Sequence, residues 1–356
     1  MGRIGTQGAW EGGSIQRMGA TATAEASGPT GNLPRGPHFW TNRNGHKLYA
    51  RAWLPSSQMA TKGVIALFHG YSGHINGVGR EAFGKALAAQ GFAVVGYDMQ
   101  GHGYSEGEHA LIERYEALVE DYLEFLATLL DSSAHDLGES QPGLIGLLPD
   151  EFDLSRTPLF VFGESMGGAL ALLISQRLSS ATLDANPPSA GLFRGAILSA
   201  PAVHVNLPSP PVTWFLKHVV APLLPRIEIP AFLETVNLPE LIWASEERRA
   251  QAAADQWGRP GGIGWGHPMR FGCAAALLQM TLDTQELLPS MAFPFLVLHD
   301  PEDGITPFAG SQQLLAESPS DDKTLTEMVG GLHDLASNVP ERLVGAMVPW
   351  ATARCE

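Results

Sequence analysis

Short apolar runs bounded by Gly, Pro and polar residues alternate along this chain with longer stretches of helical periodicity. The runs at 64–68 (VIALF), 92–98 (FAVVGYD), 159–162 (LFVF), 195–200 (GAILSA), 293–299 (FPFLVLH) and 323–329 (KTLTEMV) predict strands. Between or after them, 80–90, 108–130 and 340–353 predict amphipathic helices, and a further helix follows Met166. Near the start, Asn44-Gly45 separates two aromatic-rich runs, which predicts a β-hairpin. Strands and helices that take turns in this way form a mostly parallel sheet with helices on both faces, the α/β class.

Two stretches break the alternation. Residues 131–157 carry acids, Ser, Pro and Gly and read as a surface excursion. Residues 201–290 begin with prolines (APAVHVNLPSPPV) and hold four of the eight tryptophans: Trp214, Trp243, Trp257 and Trp265. Inserted between strands, such a segment lands at the carboxyl edge of the sheet, and a helical cap is the expectation. The first 32 residues are poor in large apolar side chains and read as a disordered leader. The expected organisation is a leader (1–32), core (33–200), helical cap (201–290) and core again (291–356).

Composition narrows the function classes. Hydrophobic residues make up 44% and charged residues 17%, enough for a large core. The formal net charge of -15 and the lack of a dense basic run argue against nucleic acid as a partner. Cys273 and Cys355 show no metal spacing and no disulfide framework, so a reducing, cytoplasmic setting is expected, with no metal or cofactor. No run of about 18 apolar residues suggests a membrane span. The opening MGRIGT fits M-G-x-x-x-[ST], a short N-myristoylation pattern at Gly2 that would attach the protein peripherally to a membrane.

The chemistry concentrates at Gly163-Glu164-Ser165-Met166-Gly167, a G-x-S-x-G pattern between a strand and a helix. That context describes a turn sharp enough to push the serine out at the top of the sheet, with glycines where side chains would collide. A serine nucleophile needs a base and a carboxylate to orient it. His333 in GGLHDL follows the last predicted strand, and Asp303 in LVLHDPEDGITP follows the one before, 30 residues earlier. Both come after Ser165, in the order Ser, Asp, His that this chemistry takes on an α/β sheet. Asp300, Glu302 and Asp334 are local rivals to Asp303, and Asp300 stands too close to its strand to reach over the edge. For an oxyanion hole, the backbone N–H of Met166 is one candidate donor. The N–H of Tyr71, in His69-Gly70-Tyr71 after VIALF, is the other.

The blocks FHGY, YDMQGHGYSEG, GESMGGALAL, PFLVLHDPEDGITP and GGLHDL, in that order, resemble the monoacylglycerol lipase and lysophospholipase-like group of α/β-hydrolases, the serine aminopeptidase-like family. The resemblance spans roughly residues 38 to 350. It implies an α/β-hydrolase fold with a helical cap and hydrolysis of a small amphiphilic ester. It also implies that the glycines and His102 of YDMQGHGYSEG are structural. The stretch VTWFLKHVVAPLLP is similar to the group's lipid-facing cap helix, which makes Trp214, Leu216 and Leu224 candidate substrate contacts and the cap a candidate peripheral membrane contact. Two departures stand out. HGYSGHIN replaces an H-G-x-G-E-H-x-x-R pattern, so the acidic and basic residues that would meet a glycerol head group are missing. Glu164, as in plant-like members, replaces a histidine before the nucleophile. Lysophospholipases and caffeoyl-ester esterases share similar blocks.

Two other classes compete. GVGREA at 77–82 with Asp98 beyond it fits a dinucleotide fingerprint, but its glycines do not follow the strand directly. A small-molecule receptor on the same fold would keep the triad with little turnover.

Overall fold

The computed structural model describes residues 38–130, 147–148, 156–180, 192–207, 209–230, 238–264, 266 and 268–355. The expected leader with its Gly2 pattern, nearly all of the 131–157 excursion, and Trp265 lie outside these residues.

Eight strands form one sheet: β1 (His38–Thr41), β2 (Lys47–Trp53), β3 (Gly63–Phe68), β4 (Phe92–Tyr97), β5 (Leu159–Glu164), β6 (Phe193–Ser199), β7 (Phe295–His299) and β8 (Lys323–Glu327). Their spatial order is β1-β2-β4-β3-β5-β6-β7-β8. The hairpin β1–β2 is antiparallel, as Asn44-Gly45 predicts, and β2 joins β4 antiparallel. From β4 through β3 to β8 every pairing is parallel. Every residue of β3, β4 and β5 is buried, the pattern of strands covered on both faces.

Because side chains alternate along a strand, the sheet feeds two cores. On one face Phe92, Val94, Phe160 and Phe162 meet Phe83 and Leu87 of α1 (Arg80–Ala88) and, beyond them, Leu343 and Met347 near the carboxyl end of the chain. On the other, Val95, Tyr97 and Val161 meet Tyr122 and Phe125 of α2 (Tyr115–Leu130) and Leu170 to Ile174 of α3 (Met166–Ser180). Each fully buried Phe of this kind contributes about 1.5–3 kcal/mol of transfer free energy.

Helix α2 starts at Tyr115, seven residues later than its apolar pattern predicts. Gly107 and Ala110 both have positive φ (120° and 51°), which a right-handed helix excludes. The Glu108 carboxylate is also engaged elsewhere, by Arg226 and Arg270.

The segment after β6 is helical. It holds α4 (Pro210–Phe215), a π-helical turn at Leu216–Val220, α5 (Ala221–Leu223), α6 (Pro239–Ile242), α7 (Glu246–Ala254) and α8 (Phe271–Leu287). Helix α8 differs from the others, since its Cys273, Ala276 and Met280 belong to the same core as α2 and α3. After β7 come α9 (Phe308–Glu317), α10 (Leu335–Asn338) and α11 (Pro340–Thr352), the last close to the predicted 340–353. Parallel strands bring the carboxyl ends of β3, β5, β7 and β8 to one edge of the sheet, where each continues into a loop carrying a residue singled out above.

Candidate active site

Strand β5 ends at Glu164 and α3 begins at Met166, so a single residue, Ser165, makes the turn. Its φ is 56°, in the left-handed region that non-glycine residues seldom occupy. The turn is held by Ser165 N–H donating to Ser199 O at 3.0 Å and by Ser165 O accepting from Gly168 N and Ala202 N, both at 2.9 Å. Flanking glycines are obligatory. A Cβ on Gly163 would lie 2.1 Å from Gly167 O, and one on Gly167 would lie 2.2 Å from Phe68 O. From Leu159 to Ser175 every residue is buried except Ser165.

The loop after β7 carries the carboxylate. Asp303 Oδ2 accepts from Thr306 Oγ1 at 2.9 Å and lies 3.1 Å from His299 Nε2 and 2.8 Å from His333 Nδ1. Its Oδ1 accepts from the N–H groups of Ile305 and Thr306 at 2.7 and 3.1 Å. Burial alone would push this carboxyl upward. The His333 charge and the bonds from His299, His333 and Ile305 outweigh it and hold the group well below the usual carboxylate range.

His333 is buried, and its Nδ1–H donates to Asp303, which leaves Nε2 with the lone pair of the neutral ring. Burial works against the imidazolium. The charge and hydrogen bond of Asp303, with Glu164 and Asp334 nearby, win and raise the pKa above the ordinary histidine value. Leu332, just before His333, has φ 48° and donates its N–H to Asp300 Oδ2 at 2.7 Å. Asp300, fully buried, therefore ties the loop of Asp303 to the loop of His333, and its other oxygen accepts from Glu302 N at 3.0 Å. The rival carboxylate is a brace, as its nearness to the strand suggests.

On the β3 side, Gly70 lies close under the serine: a Cβ built there would stand 3.2 Å from Ser165 Cβ and 3.8 Å from its Oγ. His69 is buried and kept neutral, chiefly by burial and then by His102. Its Nδ1–H donates to Gly70 O at 2.8 Å and its Nε2 accepts from Met99 N at 3.0 Å, which fixes the loop against the strand end. The Tyr71 hydroxyl donates to Ala110 O at 3.1 Å, so its ring points into the core side of the loop. Met166 is the first residue of α3, where N–H groups have no earlier helical turn to bond.

In YDMQGHGYSEG, Asp98 accepts from Ile75 N at 2.7 Å and Tyr104 N at 2.9 Å, and burial pushes its pKa up to about 6. His102 is buried, its Nδ1–H donates to Gln100 O at 3.0 Å, and burial lowers its pKa to about 4. Gly103 has φ 54°, and a Cβ there would overlap Asp98 Oδ2 at 2.0 Å. Asp98 is thus occupied in a turn, and GVGREA lies beyond the β3 loop with α1 starting at Arg80, which removes the dinucleotide fingerprint.

Two features escaped the sequence reading. Arg80, outside the H-G-x-G-E-H-x-x-R register, is buried and pairs with both Glu164 and Asp334. A glutamate at the end of an apolar strand, beside Ser165, was the available hint, since such a buried charge needs a partner. The second is a connection from the 201–290 segment to the loop of His333. Trp243 Nε1–H donates to Asp334 Oδ2 at 2.9 Å, and Asn338 Nδ2 donates to Ile242 O at 2.8 Å. Ala244 N donates to Asn338 Oδ1 at 3.0 Å. Of the suggested cap contacts, Trp214 and Leu224 are exposed (61% and 50%) and Leu216 is half-buried.

Comparison with known proteins supplies the family and the fold. The family model for serine aminopeptidase, S33, matches residues 59–339. Monoglyceride lipase of Rattus norvegicus is 28% identical over 307 residues, covering 86% of this chain and 85% of that protein. Caffeoylshikimate esterase of Arabidopsis thaliana is 25% identical over 317 residues, covering 85% and 80%. Among solved structures, a soluble variant of monoglyceride lipase from Saccharomyces cerevisiae, in complex with a substrate analog, superposes with a TM-score of 0.66. It is 18% identical and covers 88% of this chain and 94% of its own, a likeness of fold. With a matched family model over most of its length and an α/β-hydrolase sheet, the chain belongs to the serine aminopeptidase S33-like hydrolases, in the monoglyceride-lipase-like group of carboxylic ester hydrolases.

Proposed function

We propose that this protein hydrolyses monoacylglycerols or closely related single-chain lipid esters through Ser165, His333 and Asp303. The observation that carries the reading is the 2.8 Å pair of His333 Nδ1 and Asp303 Oδ2 at the sheet edge onto which the Ser165 turn opens. Ser165 Oγ attacks the ester carbonyl while His333 Nε2 takes its proton. The N–H groups of Tyr71 and Met166 donate hydrogen bonds to the developing oxyanion, each worth about 3 kcal/mol of barrier. Collapse breaks the ester C–O bond, His333 protonates the departing alkoxide, and an acyl-enzyme remains on Ser165. Water, deprotonated by His333, then releases the fatty acid and restores the serine. Asp303 stays ionised throughout and stabilises the imidazolium.

An acyl chain as the recognised group is supported by the apolar character of the 201–290 cap, where Val212, Trp214, Phe215, Leu223 and Leu224 crowd one stretch. A phenolic ester is the second reading, favoured by the similarity to caffeoylshikimate esterase. The two separate in one experiment: kcat/KM for monoacylglycerols of rising chain length, below their critical micelle concentrations, beside a caffeoyl ester. Each buried methylene is worth about 0.8 kcal/mol, so two should raise kcat/KM roughly tenfold until the pocket is full. A flat series with fast caffeoyl-ester turnover would replace the lipid reading with the phenolic one.

A further inference from the structure

The residue before the nucleophile and the residue after the base are both buried carboxylates. Glu164 is 6% and Asp334 5% exposed, and between them lies Arg80, 7% exposed, at the start of α1. Arg80 is 84 residues from one partner and 254 from the other. Its Nη2 pairs with Glu164 Oε2, and its Nη1 donates to Asp334 Oδ1 at 3.4 Å. Asp334 also accepts from Ser337 Oγ at 2.6 Å and from the Trp243 indole. Ser337 Oγ also lies 2.9 Å from Val78 O, two residues before Arg80, so its one proton is shared between the α1 start and Asp334, and the α1 start and the His333 loop meet at two points.

Such a cluster is poorly explained by stability. Taking each charge out of water costs several kcal/mol, and well-packed apolar residues of similar volume often hold a fold as firmly. Apolar side chains, however, cannot fix two separate loops by directional bonds. A guanidinium can, because its planar fork reaches two acceptors at set angles. The two acceptors here adjoin the two residues that must exchange a proton.

We propose that Arg80 is a positioning residue for ester hydrolysis: by gripping Glu164 and Asp334 together it sets the placement of His333 against Ser165. The inference rests on the serine-hydrolase reading of this site. It implies that the cluster acts on the rate per active site, because an error of about 1 Å in placing reacting groups costs on the order of a hundredfold. The charges facing His333 are Asp303 (itself held by His299), Glu164, Asp334 and, through the last two, Arg80. Neutralising Glu164 removes a carboxylate that favours the imidazolium, so the base should titrate at lower pH.

The test uses the full-length protein with a soluble p-nitrophenyl ester, active sites being counted by fluorophosphonate titration. Arg80→Lys keeps the charge but offers one ammonium where two directed bonds are needed. It should lower kcat per titrated site by about 30-fold or more with KM within about twofold. Arg80→Met should lower it further, and Glu164→Gln should move the acid limb of kcat/KM to lower pH. Wild-type kcat per titrated site in Arg80→Lys, with fewer active molecules and an unmoved limb in Glu164→Gln, would mean a merely structural cluster and overturn the proposal. If Arg80→Met does not fold, the Lys and Gln variants decide alone. Ser165→Ala runs in parallel: a variant that keeps its activity would overturn the serine-hydrolase reading and take this inference with it. Loss of activity in Ser165→Ala with unchanged Arg80 variants would overturn this inference only.

Discussion

At the scale of single residues, the site is organised by which atoms are protonated. Asp303 accepts from five donors and His333 spends Nδ1–H on it, so in the proposed mechanism Nε2 is the atom that takes the Ser165 proton. Ser165→Ala and His333→Ala should each reduce kcat on a p-nitrophenyl ester by at least about 10⁴-fold, because triad members act as a unit. A tenth of wild-type activity in either would remove that residue from the mechanism. The pH profile follows from the raised His333 pKa. Only the neutral ring is a base, so kcat/KM should climb with pH along a limb lying above the ordinary value of about 6.5. Folding stability carries the opposite sign: the stabilisation from a raised histidine pKa is full at low pH and is lost as pH rises through the folded value. A loss of activity below pH 6 in a protein whose melting temperature stays level would therefore report the base and not unfolding. Residues of this kind were legible in the sequence. The strand-end positions, the order Ser, Asp, His and the glycines of the turn singled out the three side chains proposed here, of which the structure pairs His333 with Asp303 at 2.8 Å and places Ser165 in the turn. Arg80 was not legible, because a pairing across 254 residues leaves no trace in neighbouring positions.

At the scale of elements, the packing of α3 onto β3 and β5 leaves no room at the turn. Gly167→Ala would force a methyl to within 2.2 Å of the Phe68 carbonyl. It should destabilise the fold by about 1–3 kcal/mol, read as a lower melting temperature, and should displace Met166 N–H from the oxyanion position. An unchanged melting temperature and full activity would contradict this account of the glycine. Most strands were predicted to within two residues because a strand buried on both faces is a dense apolar run with clear ends. The start of α2 was misjudged for the converse reason. The 108–114 stretch has helix-compatible side chains, but its conformation is set by Ala110 in a left-handed turn and by arginines arriving from the cap. Tertiary partners decided that boundary.

At the scale of the molecule, two opposing surface properties meet. The chain has a formal net charge of -15, yet α4 and the turns after it expose Trp214, Phe215, Leu223, Leu224 and Ile227. Among the described residues no helix is long and apolar enough to cross a membrane. If this face meets lipid, attraction must come from apolar area while charge opposes approach to anionic bilayers. Binding to zwitterionic vesicles should exceed binding to phosphatidylserine-rich ones, and salt should narrow the gap as the Debye length shrinks from about 30 Å at 0.01 M to about 8 Å at 0.15 M. Trp214→Ser with Leu223→Ser should weaken both. Sedimentation with vesicles measures all of this, and tighter binding to the anionic vesicles at low salt would refute it.

The bonds between α6 and the loop after β8 constrain how such a protein could admit a substrate. Five hydrogen bonds join Leu241, Ile242, Trp243 and Ala244 to His333, Asp334 and Asn338. A cover that swung away in one piece would tear these and dislodge the base at the moment a substrate arrived. Access and competence are compatible only when the cover moves in part. In such a partial motion residues 241–244 must stay seated, because the loop of His333 is bonded to them. Any opening of the inserted segment therefore has to spare residues 241–244, which stay fixed against the loop that carries His333.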